Sequence, residues 1–160
     1  MATIINGSDN FNTNDVATDT ELNNLSQGLF ANQQYAVTDL NRTLSTGTTW
    51  VQHLSVPVVV SNGKPIFANI NLAMTYESAS VNGEGKFILD GQTYNESPII
   101  YIAQQSDANR ARGSHGFSYI FGGVADGNYT LKFMARNNGA GASTWILNYY
   151  LGQDTLIAKY

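Results

Sequence analysis

The densest group of side chains able to do chemistry lies between Gln104 and His115, where Arg110, Arg112 and His115 share a polar stretch with Asp107. Two guanidinium groups and an imidazole so close together could grip an anionic sugar, a phosphate or a carboxylate, because arginine presents a planar fork of donors to such groups. The same residues would serve equally as surface charges of a loop, or as one side of an inter-subunit salt bridge. His53, the only other histidine, stands in mid-strand among apolar neighbours and reads as structural. Glu84, Asp90, Glu96 and Asp154 fall at turn-like positions, where short polar side chains commonly bond the local backbone. A glycosidase pair among them would depend on a spatial separation that spacing along the chain does not fix. No zinc-protease helix motif, phosphate-binding glycine loop or dinucleotide fingerprint occurs. The chain has no cysteine, which excludes thiolate metal sites, thiol nucleophiles and disulfides. No catalytic residue, metal or cofactor is expected.

The bulk properties narrow the classes further. The 160 residues suffice for one domain with a substantial core. Charged residues make up only 12%, so the wet surface must be built from Asn, Ser, Thr, Gln and Gly. A net charge of -4 argues against a nucleic-acid partner, which calls for a basic patch to neutralise phosphates. The N-terminal residues show neither a basic region nor a long apolar run, so neither a secretory signal nor membrane insertion is expected. The Asn-x-Ser/Thr sites, including those at Asn6, Asn41, Asn95 and Asn128, would be glycosylated only in a eukaryotic secretory protein.

These side chains must be positioned by strands. From Thr48 onward apolar residues alternate with polar ones: Trp50, Leu54, Val56 and Val58 against Val51, His53 and Ser55, with Pro57 marking an edge or a bulge. Ile66, Ala68, Ile70, Leu72, Met74 and Tyr76 form the longest such run. Asn62-Gly63, Asn82-Gly83 and Asp90-Gly91 read as turns. Phe117, Tyr119 and Phe121, then Tyr129, Leu131, Phe133 and Ala135, flank Asp126-Gly127 and predict a central antiparallel hairpin. Trp145, Leu147 and a last strand ending at Tyr160 complete the pattern. The fold class expected is all-β, an antiparallel β-sandwich (jelly roll) of about eight strands.

Several strands are apolar on both faces, at Phe67, Ile88, Ile146, Tyr150 and Ile157. A sandwich buries one face per sheet, so these residues predict a subunit interface. Residues 1–47 differ in composition and read as a mostly extended N-terminal arm, with residues 48–160 as the knob domain. Within the arm, Thr18 and Glu21 have capping-box spacing, and Leu22, Leu25 and Leu29, followed by Phe30, line one face of a short candidate helix.

The opening GTTWVQHLSVPVVV, the late strand GNYTLKFMARN and the closing TLIAKY resemble the jelly-roll knobs of the C1q and tumour-necrosis-factor-like class found on tailed-bacteriophage fibres. The stretch containing ELNNLSQGLFANQ is similar to the polar arms by which phage fibre and decoration proteins attach to the particle. The resemblance implies a non-enzymatic homotrimer on the virion surface, assembled in the host cytoplasm. Its arm would bind phage tail or capsid proteins through Leu22, Leu25, Leu29 and Phe30. Receptor contacts, to a host surface glycan or protein, would fall in the loops at Arg110, Arg112, His115, Asn137 and Asn138. A short tail fibre or receptor-binding knob is the first expectation, and a capsid decoration or head fibre the second. A carbohydrate-binding module or cryptic glycosidase is the alternative of another class.

Overall fold

Period-two alternation becomes eleven strands in the computed structural model, which describes residues 33–38, 42–45, 47, 49–61, 63–76, 81–91, 94–104, 111–139, 144–147 and 154–160. In chain order these are β1 (Gln33–Thr38), β2 (Arg42–Ser45), β3 (Val51–Val60), β4 (Ile66–Tyr76), β5 (Asn82–Gly91) and β6 (Asn95–Glu96). The chain continues through β7 (Ile100–Gln104), β8 (Ala111–Phe121), β9 (Gly127–Asn137), β10 (Thr144–Leu147) and β11 (Asp154–Lys159). Among the described residues there is no helix. The strands number more than the eight expected because β1, β2 and the two-residue β6 carry no alternating pattern long enough to read. The helix expected around Leu22, Leu25, Leu29 and Phe30 lies outside the described residues.

The long strand β4 organises the first sheet, as its clean alternation predicts. Along one edge it pairs with β8 over its whole length, from Ile66 opposite Phe121 to Tyr76 opposite Ala111. On the other edge it pairs first with β11 and then with β10, which lead outward to β1 and β2 respectively. The second sheet runs β3, β9, β5, then β6 and β7 one after the other along the far edge of β5. The arrangement is an antiparallel β-sandwich of the jelly-roll class. Residues 34–160 form a compact unit, so the sheets draw on β1 and β2, which the sequence places in the arm.

The core lies between the inner faces. Ile66, Ala68, Ile70, Leu72 and Met74 of β4 meet Tyr129, Leu131, Phe133 and Ala135 of β9 and Phe87 and Leu89 of β5, all buried. Phe87 and Phe133 pack edge to face at 5.3 Å, the arrangement that ring quadrupoles favour. Trp145 is fully buried, with its indole N–H donated to the sulfur of Met74 at 3.3 Å.

Two expected features come out differently. β8 and β9 are not a hairpin: β8 pairs with β4 in the first sheet, and β9 with β3 and β5 in the second. The connection from Gly122 to Asp126 instead crosses the end of the sandwich, where Val124 is buried in the core and Gly123 takes a left-handed φ of 64°. The Asp126 carboxylate accepts the Gly63 N–H at 2.8 Å, tying this crossing to the segment between β3 and β4. Asn82-Gly83 and Asp90-Gly91, expected as turns, are the two ends of β5.

Candidate functional site

The polar stretch around His115 is largely strand. Arg112 and His115 lie in β8, opposite Thr75 and Leu72 of β4, because the eleven residues of β4 offer a ladder to a segment with no apolar alternation of its own. The His115 ring is exposed and lies parallel to Phe117, 6.3 Å away. Arg110 and Asp107 lie outside the described residues, so the expected cluster is located only through Arg112 and His115.

Asn137 corrects a second expectation. It is 1% exposed, not a surface contact. Its amide donates to the Leu44 carbonyl at 3.3 Å and accepts the N–H groups of Asn82 and Gly139, closing one end of the sandwich. This use follows from its position at the end of an inward-facing row, where a buried amide must satisfy its donors and acceptors locally. Asn138 is exposed and donates to Glu84 at 3.1 Å.

A β-bulge at His53 reorganises the start of β3. Gln52 sits opposite Met134 and Leu54 opposite Phe133, so His53 is the extra residue, and both His53 and Leu54 turn inward. An inserted residue exchanges the faces of everything before it. Val51 therefore packs on the core, and Trp50, expected in the same row as Leu54, goes to the outer face. Inside, His53 Nε2 meets Asp154 Oδ2 at 2.6 Å, joining the two sheets. The other carboxylate oxygen of Asp154 accepts the Ala73 N–H at 2.6 Å. A histidine oriented by a carboxylate is half of a hydrolytic triad. Here both side chains are at most 1% exposed and His53 Nδ1 has no hydrogen-bond partner, so the pair acts as a clamp between sheets.

The outer face of the second sheet carries three ion pairs. Glu84, Lys86, Ile88 and Asp90 of β5 alternate with the core residues Phe87 and Leu89, opposite Arg136, Met134, Lys132 and Thr130 of β9. The Arg136 guanidinium donates to Glu84 at 2.6 Å, Lys86 pairs with Glu96 at 2.6 Å, and Lys132 with Asp90 at 2.5 Å. The Trp50 ring lies 4.4 Å from the Arg136 guanidinium and 4.8 Å from the Lys86 ammonium, both cation–π distances. Hydrogen bonds from Lys86 and Tyr94 hold the Glu96 carboxyl below the usual glutamate range. Partial desolvation and the adjoining Glu96 raise the Tyr94 hydroxyl. The carboxylates that look like turn residues in the sequence are thus strand residues with cationic partners. The signal that could have revealed them is the opposite charge order along β5 and β9, visible once the two strands are placed side by side.

The residues expected at a subunit interface divide among three positions. Phe67 and Ile157 are half-buried on the outer face of the first sheet, on adjacent strands. Ile120, opposite Phe67, is 60% exposed on the same face. Ile146 shares that face but is buried, and Ile88, on the outer face of the second sheet, is buried opposite Lys132 and Glu96. Little of either residue is left for a partner to cover. Tyr150 lies outside the described residues. Among the described residues no group of three metal-ligating side chains occurs.

The two-sheet antiparallel jelly roll has counterparts among solved structures. A chain in the structure of infectious bursal disease virus Gx strain superposes with a TM-score of 0.53 at 9% identity, covering 80% of this chain and 31% of that one. A chain of T=1 particles derived from the same virus gives 0.50 at 9% identity, covering 79% and 35%. The protein thus spans about a third of the length of the virus chains it matches. A carbohydrate-binding module of Cellvibrio mixtus lichenase 5A aligns at a TM-score of only 0.28 and 14% identity, over 78% of this chain and 89% of the module. No protein-family model and no curated protein matches the sequence. The fold, not the family, is what these likenesses show.

Proposed function

We propose that this chain is a non-enzymatic structural protein of a virion, and specifically the trimeric, receptor-binding knob of a short bacteriophage tail fibre. The observation that supports a virion role is the likeness of its sandwich to chains built into virus particles. The attachment arm expected over residues 1–47 is assigned to the part that precedes β1, because β1 and β2 belong to the first sheet. The outer face of the first sheet, with Phe67, Ile120 and Ile157 together, is the surface on which copies associate. Holding copies together multiplies weak receptor contacts into useful avidity. Arg110, Arg112, His115 and Asn138 are the receptor contacts, of which Arg112 and His115 belong to strand β8.

A second reading, capsid decoration or head fibre, is favoured by the T=1 particle among the matches. Cryo-electron microscopy of the particle carrying this protein separates the two. Density at the tail supports adhesion, density on the shell makes the protein a decoration, and absence from purified particles overturns both.

A further inference from the structure

The outer face of the second sheet has features that a merely solvated face does not need. Across it runs one transverse row in which Trp50 abuts Arg136, Arg136 pairs with Glu84, and Glu84 stands opposite Tyr101 of β7. Tyr101 is 72% exposed and Tyr94 is 56% exposed, although both carry large apolar rings. Between these rings the polar groups are held still. Glu84 is only 2% exposed and receives donors on both oxygens, from Arg136 and Asn138. Glu96 takes Lys86 and Tyr94 on the same oxygen and leaves its other oxygen at the surface.

The charge arrangement selects the ligand. Among the described residues the three cations of this face, Lys86, Lys132 and Arg136, are each paired with a carboxylate, so their charges are balanced. A phosphate or an acidic chain would have to break one of those pairs and leave a carboxylate uncompensated. A neutral polyhydroxylated ligand need break none. Its hydroxyl groups can donate to the remaining lone pairs of a fixed carboxylate, which has room for about four bonds. Its axial C–H groups carry partial positive charge and pack against the negative face of an aromatic ring. The path from β3 to β7 crosses three strand spacings, roughly 14 Å at ~4.8 Å each, which is long enough for an oligosaccharide and too long for a single sugar.

We infer that this face binds a neutral oligosaccharide laid across the strands, with Trp50 and Tyr101 as stacking platforms and the surface oxygen of Glu96 as a hydroxyl acceptor. The inference stands apart from the position of the protein on a particle, and its test is independent of that reading.

The test is binding of the full chain to an array carrying neutral, sialylated and phosphorylated oligosaccharides, followed by calorimetric titration with the best soluble neutral oligosaccharide. Tyr101→Ala and Glu96→Gln are the diagnostic variants, because both side chains are exposed enough to be changed without disturbing the core. The expected result is selective binding of neutral glycans, weakened about tenfold by Tyr101→Ala, the size of one lost stacking contact. Glu96→Gln should weaken it by a similar factor. No neutral glycan bound, binding confined to anionic glycans, or neutral-glycan affinity unchanged in both variants would each overturn the proposal. Unfolding midpoints within error of the parent chain confirm that any loss arises at the face.

Discussion

Asp154 shows how much one carboxylate can hold together. It accepts from His53 of β3 and from the backbone of Ala73 in β4, so a single side chain fixes both the inter-sheet distance and the start of β11. Asp154→Ala strands a buried imidazole and a partly buried N–H at once, and should cost roughly 3 kcal/mol of stability. Urea unfolding measures this, and an unchanged midpoint would show that the clamp contributes nothing. Glu96 gives a second residue-scale outcome. Its carboxyl should titrate below the ordinary ~4.3 of glutamate in a carbon-detected NMR titration, and Lys86→Met should move it back up. With the folded value depressed, the pairing stabilises the fold above the unfolded glutamate value. That contribution disappears as pH falls through the folded value. The effect on global stability should be small, because the pair is exposed and screened.

Among the elements, β5 is the most tightly constrained, because its glycines make room for neighbours. A Cβ on Gly85 would stand 2.6 Å from both Ile102 Cδ1 and Phe133 Cζ, whereas one on Gly122 would meet nothing within 4 Å. Gly85→Ala should therefore lose roughly 1–3 kcal/mol by overpacking, while Gly122→Ala stays within about 0.5 kcal/mol of the parent. Thermal unfolding of the two variants side by side checks the contrast, which fails if they melt together. The same strands show what alternation can and cannot reveal. Period-two rows identified the buried faces of β4 and β9, because side-chain direction alternates within a strand whatever its partner. They did not reveal the sheet to which each strand belongs, so β8 and β9 looked like one hairpin although Val124 carries the chain across the sandwich end. Nor did they reveal the bulge at His53, because a one-residue slip leaves two rows that each look regular. That slip carried Trp50 to the outer face, and with it the glycan site stayed hidden. The pairing of Glu84 with Arg136 was hidden for a related reason, since 52 residues of chain separate the partners and only strand register joins them.

At the scale of the whole molecule, the two sheets have unlike outer faces. The second sheet is covered by paired charges. The first has an apolar band across β11, β4 and β8 at Ile157, Phe67 and Ile120, and Tyr35 and Val37 are exposed on β1, the strand next to β11. Around that band the rungs are small and polar, and Asn69 bonds Ser118 at 2.9 Å and receives the Asn71 amide at 3.1 Å, which keeps the surface flat enough for another sheet to approach. Burying apolar area of this kind between copies gains about 25 cal/mol per Å², so three to five such side chains outweigh much of the entropy lost on association. Ile120 is the best probe of this face: at 60% exposure it contributes little to the monomer core. Ile120→Asp should leave the unfolding midpoint of the isolated subunit within about 0.5 kcal/mol of the parent, as expected of an exposed position. It should also convert trimers to monomers at micromolar concentration, because each interface would then bury an unpaired carboxylate. Sedimentation equilibrium of the two proteins reads the result directly. A parent chain that is monomeric at these concentrations, or a variant that remains trimeric, would move the association surface elsewhere and leave the apolar band of the first sheet to another partner.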